Sequence, residues 1–114
     1  MIQATERQIE DSILQLLTYK GYFCYRNRDQ AARVNGAYRK NVWEIRGPSD
    51  LTIFLKNVPN PVLFLEIKTP KGKQSKYQIE YQQRCEENGV LYRIARSAKE
   101  ALEIVEGLSD VKIN

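Results

Sequence analysis

Residues 47–68 read GPSDLTIFLKNVPNPVLFLEIK. Two apolar runs, Leu51 to Leu55 and Val62 to Lys68, flank Asn57-Val58-Pro59-Asn60-Pro61, whose prolines and asparagines interrupt regular structure and favour a turn. The pattern predicts an antiparallel hairpin. In a hairpin the start of one strand lies beside the end of its partner, so Asp50 at the mouth of the first run and Glu66 near the end of the second converge on one point.

Working outward, Ser75-x-x-Gln78 has the form of a helix-capping box, and Tyr77, Tyr81 and Cys85 share one stripe before Gly89, which predicts a helix over 75–88. Leu91 to Ala95 follows as a strand. Ser97-Ala98-Lys99-Glu100 opens a last helix with Ala101, Leu102, Ile104 and Val105 as its apolar positions, ending at Gly107. Leu108 to Asn114 is expected to be a short tail or edge strand. Upstream, the Thr5-Glu6-Arg7-Gln8 box and apolar Ile9, Ile13, Leu16 and Leu17 predict a helix over about residues 6–20, stopped by Gly21. Aromatic, β-prone Tyr22 to Arg28 is a further strand. The order α-β-β-β-α-β-α implies a mixed α/β sheet with helices on its faces, in one domain spanning 1–114 with its core over about 6–106. Residues 29–42, polar and Arg-rich, fit no element and read as a functional or disordered connection.

A chain of 114 residues has room for a single core and one site. It contains no His, which removes histidine general-base chemistry, Ser-His-Asp triads and imidazole zinc sites. Cys24 and Cys85 have no C-x-x-C spacing and read as buried small residues in a reducing compartment. No uninterrupted apolar stretch exceeds four residues, and Met1-Ile2-Gln3-Ala4 lacks the basic head and apolar core of a signal peptide, so no membrane association and a cytoplasmic location are expected. The net charge of +4 is concentrated. Arg26, Arg28, Arg33, Arg39, Lys40 and Arg46 precede the hairpin, and Lys71, Lys73 and Lys76 follow Lys68 with no intervening acid. Such stretches suit a polyanion, because each cation that replaces a counterion on phosphate adds affinity independent of sequence. DNA-binding residues are therefore expected at Arg33, Arg39, Lys40, Arg46, Lys71, Lys73 and Lys76.

Two carboxylates brought together repel, and a hard divalent cation relieves the repulsion. An all-oxygen site without His or Cys favours Mg²⁺ or Mn²⁺. Period-2 alternation puts Glu66 and Lys68 on one face while Ile67 points into the core, leaving its carbonyl as a further ligand. Lys68 then stands where an ammonium can orient or deprotonate a water, which Arg does poorly because it does not release a proton. With ten Glu and nine Lys in the chain, about 0.8 Glu-x-Lys triplets arise by chance, so the placement carries the weight rather than the triplet. No Gly-rich nucleotide loop is present, and no nucleotide cofactor is expected.

Gly47-Pro48-Ser49-Asp50-Leu51, then Glu66-Ile67-Lys68, then Gly72-x-x-Ser75-x-x-Gln78 resemble the signature of the VRR-NUC (virus-type replication-repair nuclease) branch of the PD-(D/E)XK superfamily, over roughly residues 6–98. One departure is visible: Ser49, not Pro, directly precedes Asp50. The resemblance implies a restriction-endonuclease-like αβββαβ core with a four-stranded mixed sheet. It implies Asp50 and Glu66 as metal ligands with the Ile67 carbonyl, Lys68 as the catalytic lysine, and Gln78 as a further active-site residue that also fits the capping box. A first-helix carboxylate often joins the metal in this family, and Glu10, on a stripe bordering the buried face, is the residue that matches. Glu10 also reads as an ordinary charge near a helix N-terminus. The implied activity is Mg²⁺- or Mn²⁺-dependent DNA endonuclease. Short stand-alone members, many of them phage-encoded and acting in a bacterial host cell, resemble homodimeric nucleases selective for Holliday junctions or other branched DNA. The alternative is a non-catalytic nucleic-acid-binding module of the same fold, against which the retained pair of carboxylates argues.

Overall fold

The computed structural model describes residues 3–27, 33–34, 37–38 and 49–111. Along these the chain forms α1 (Glu6–Tyr19), β1 (Phe23–Arg26), β2 (Arg33–Val34), β3 (Ala37–Tyr38), β4 (Leu51–Phe54), β5 (Val62–Ile67), α2 (Lys76–Glu87), β6 (Leu91–Ala95) and α3 (Ala98–Leu108). The main sheet has the order β1-β4-β5-β6. β1 and β5 flank β4 antiparallel, and β6 runs parallel to β5, the connection being made by α2. This is the mixed four-stranded sheet flanked by helices that the sequence implies.

Both capping boxes form. The Thr5 hydroxyl accepts from Gln8 N–H at 3.1 Å while Gln8 Oε1 accepts from Thr5 N–H at 2.9 Å, and Ser75 and Gln78 repeat the exchange at 3.2 and 2.8 Å. Gly21, at φ +86°, lets the chain leave α1 in the left-handed region, and the next N–H, of Tyr22, returns to the Leu17 carbonyl.

Alternation along the strands gives the sheet two unlike faces. One carries Leu51, Ile53, Leu63, Leu65 and Ile67, all buried, against Ile9, Ile13 and Leu17 of α1 and Ala101 and Val105 of α3. Each large side chain in this layer contributes about 1.5–3 kcal/mol by leaving water. The other face carries Thr52, Phe64, Glu66, Lys68 and Tyr92. There α2 lays Tyr81 between Phe64 and Tyr92, with ring centroids 6.0 and 5.9 Å away. Phe23 and Tyr25 of edge strand β1 remain exposed on this face, and Phe23 stacks on Phe54 at 5.1 Å.

Two expectations are corrected, and one left open is resolved. Within 29–42, where the sequence predicts no element, the chain makes a short antiparallel pair, β2 with β3, Arg33 opposite Tyr38. Gly107 does not end the last helix, which continues to Leu108 because that residue packs against the core and Ser109 N–H still reaches the Val105 carbonyl at 3.0 Å. Of the two readings of the C-terminal segment, its described part takes the tail and not the edge strand: Ser109 and Asp110 clip onto Lys56, through Lys56 N–H to Ser109 Oγ at 3.0 Å and Asp110 N–H to the Lys56 carbonyl at 2.8 Å. Among the described residues, no helix is long and apolar enough to cross a membrane.

Candidate active site

The hairpin brings Asp50 to the end of β5. Asp50 Oδ2 accepts a hydrogen bond from Ile67 N–H at 2.7 Å, so the first carboxylate is pinned to the backbone directly after the second. Burial pushes the Asp50 carboxyl above its usual range; the Ile67 N–H opposes that, and repulsion from Glu10, Glu6 and Glu66 adds to it. A negative charge there is under-compensated by the protein.

Asp50 is held from the other side by a residue that the sequence alone does not single out. Asn27, one position beyond β1, donates from Nδ2 to the Ser49 carbonyl and hydroxyl at 2.9 and 3.0 Å, and its Oδ1 accepts from Thr52 Oγ1 at 2.6 Å. Its own N–H reaches the Asp50 carbonyl at 2.9 Å. These bonds bracket the residue before Asp50, Asp50 itself and the second residue after it. Ser49, where the family pattern has Pro, is buried and uses its hydroxyl in this bracket.

Glu66 is fully buried. Its Oε1 accepts from the Tyr92 hydroxyl and from Gln74 Nε2. Its Oε2 has no hydrogen-bond partner and lies 3.8 Å from Lys68 Nζ. A buried oxygen left without a donor is costly and uncommon, and such groups concentrate at functional sites. Lys68 is 8% exposed, and alternation has put it on the Glu66 face as expected. Ile67 is buried in the core layer.

Glu10, with 13% of its side chain exposed, meets Arg26 Nε at 2.6 Å; Asp11 also pairs with Arg26, and together the two acids hold its guanidinium above its ordinary value, the Glu10 hydrogen bond contributing most. Arg26, part of the basic stretch in the sequence, is thus committed to α1. Glu10 lies close enough to repel Asp50. Even so, no three Asp, Glu, Cys or His side chains among the described residues form a group spaced to hold a metal. The structure joins Asp50, Glu66 and Lys68, and it does not bring Glu10 into the cluster. Gln78 is half-buried and closes the α2 cap on Ser75, whereas Gln74, four residues earlier, is the glutamine that touches Glu66, at 3.1 Å. The sequence signal for Gln74 is weak: a polar residue directly before an N-cap, in a loop leaving the lysine strand. Lys71, Lys73 and Lys76 are exposed just beyond Lys68. Arg39, Lys40, Arg46 and the Arg33 side chain lie outside the described residues. A groove of about 620 Å³ between the starts of α1 and α3, lined by Gln8, Ile9, Pro70 and Ala98 among others, is separate from the carboxylate cluster.

The donor chemistry fits a hard cation: two carboxylates, one pinned with its charge under-compensated and one with a buried oxygen that no hydrogen bond satisfies.

No protein-family model and no curated protein matches the chain. Two solved structures share its fold. One, described as "VRR_NUC domain", superposes with a TM-score of 0.60 at 17% identity over 92% of this chain and 99% of that one. The other, a "VRR_NUC domain protein", gives 0.62 at 13% identity over 92% and 88%. The fold is that of VRR_NUC domains.

Proposed function

We propose that this chain is a Mg²⁺- or Mn²⁺-dependent DNA endonuclease. The observation that carries the reading is the bare, buried Glu66 Oε2 beside Lys68 and opposite Asp50, in a VRR_NUC fold. Asp50, Glu66 and the Ile67 carbonyl would hold the cation. Bound there, it would polarise the scissile phosphodiester and acidify water. Lys68 supplies a buried ammonium that orients the attacking water and offsets charge on the phosphate, and it can release a proton where Arg would not. Asn27 keeps Asp50 in place. Glu10, held by Arg26, adds negative field to the site and completes the attraction for a cation. Lys71, Lys73 and Lys76, with Arg33, Arg39, Lys40 and Arg46, contact the DNA backbone. Gln78 serves the helix that carries the loop.

Branched DNA, Holliday junctions included, is the preferred substrate, and a symmetric homodimer presents two sites to strands of opposite polarity. The test is incubation with four-way junction, flap, linear duplex and single-stranded DNA in Mg²⁺, Mn²⁺ or EDTA. Junction cleavage by wild type, lost in EDTA and in each of Glu66→Ala and Lys68→Ala, is the expected result. Cleavage that persists in EDTA or in Glu66→Ala overturns the site, and binding without cleavage leaves a nucleic-acid-binding module. Light scattering should give about twice the monomer mass.

A further inference from the structure

The two oxygens of Glu66 are treated very differently by the protein around them. Oε1 is saturated: it takes the Tyr92 hydroxyl and Gln74 Nε2. Oε2 takes no donor. Each oxygen has about two lone-pair sites, so placing both donors on one side leaves Oε2 facing only the Lys68 ammonium, 3.8 Å away and beyond hydrogen-bond range. Exchanging the oxygens by rotation would break both bonds around a fully buried carboxylate, which fixes its plane as well as its position.

The donors are themselves held. Tyr92 is 1% exposed, and its ring is wedged beside Tyr81 at 5.9 Å on a strand registered opposite Phe64. Its hydroxyl donates to Glu66 Oε1 from this fixed ring. Gln74 Nε2 makes a second bond, to Gln82 Oε1 at 2.8 Å, and Gln82 Nε2 in turn donates to Glu86 Oε1 at 2.8 Å. Both amide hydrogens of Gln74 are thereby used, and a line of side chains along α2 prevents the amide from turning away.

We propose that Tyr92 and Gln74 are positioning residues that lock Glu66 by Oε1 and present Oε2 as the oxygen that meets the cation. This rests on the metal-dependent reading above and assigns residues that neither the family resemblance nor the motif supplies. Metal sites commonly depend on such outer donors, and losing one costs about 10–100-fold in metal affinity or activity.

The test is Mn²⁺ binding without DNA, by titration calorimetry, for wild type, Glu66→Ala, Tyr92→Phe and Gln74→Ala, with metal-free melting recorded for each. Tyr92→Phe keeps the ring and removes only the hydroxyl, and Gln74→Ala changes a half-buried loop residue, so one remains usable if the other fails to fold. The expected result is a Kd raised about tenfold or more in each positioning variant and no binding in Glu66→Ala. A merely structural role would lower the melting temperature and leave Kd unmoved. Tyr92→Phe and Gln74→Ala that both bind Mn²⁺ as wild type, while Glu66→Ala does not, overturn the positioning roles and leave the nuclease reading intact. Wild type that binds no Mn²⁺, or Glu66→Ala that binds as wild type does, overturns the metal reading and this inference with it.

Discussion

Asp50 carries its charge against the environment that the fold supplies. A carboxyl whose folded-state value is raised contributes stability that is fully present below its unfolded value and lost as pH rises through the folded one. At neutral pH the ionised form therefore opposes folding. Asp50→Asn should melt higher than wild type in metal-free buffer at pH 7, and the gap should close as pH falls below the ordinary carboxylate range. Adding Mg²⁺ should raise wild type alone. Thermal melts at pH 3 to 7 with and without Mg²⁺ check this, and a variant that melts lower than wild type at pH 7 would mean that the Ile67 hydrogen bond outweighs burial. Asn27 is the complementary case, a neutral side chain whose loss takes its hydrogen bonds from the Ser49 carbonyl and the Thr52 hydroxyl. Asn27→Ala should cost about 1–3 kcal/mol in urea unfolding, because buried groups lose their bonds. Junction cleavage should fall more than the unfolded fraction explains.

Among the elements, α2 tests the meaning of Gln78. Its side chain closes the Ser75 cap, so Gln78→Ala and Ser75→Ala should each cost about 0.5–2 kcal/mol of stability, with cleavage by the folded fraction reduced far less than in Glu66→Ala. An inactive yet stable Gln78→Ala would restore it to the chemistry. The caps are readable because they are written within four residues, and the hairpin because its turn and its two runs are contiguous. Convergence of Asp50 with the Glu66 strand follows from that hairpin alone. Tyr92, Gln74 and Asn27 are not readable in the same way. Their roles depend on β1 and β6 lying on opposite sides of the hairpin and on α2 crossing one face, pairings between segments far apart in the chain. The tail departs from expectation because Gly107 looks like a stop, whereas burial of Leu108 outweighs the weak helix propensity of one glycine.

For the molecule as a whole, binding to DNA is expected to be dominated by counterion release. Replacing Lys71, Lys73 and Lys76 with Ala should reduce the magnitude of the log K against log salt slope in Ca²⁺ by up to about three units, near 0.9 for each phosphate left unneutralised. An unchanged slope would leave these lysines as solvated surface. The loop that bears them is tied at its base: Arg96, just past β6, donates from Nη1 to the carbonyls of Thr69 and Gly72 at 2.7 and 2.8 Å. Gly72 packs closely under Thr69: a Cβ there would stand 3.0 Å from Oγ1, a contact that the hydroxyl would have to relieve by a few tenths of an ångström. What this tie changes is when entropy is surrendered. Fixing one backbone residue costs about 1–2 kcal/mol, and the Arg96 bracket assigns that cost to folding rather than to every encounter with a duplex. Arg96→Ala should therefore weaken DNA binding several-fold while the salt slope stays where it was, since every phosphate keeps its cation. A slope that falls by about 0.9 would instead place the Arg96 guanidinium on the DNA. If affinity drops without a change in slope, the lysines find phosphate from a platform assembled before the DNA arrives.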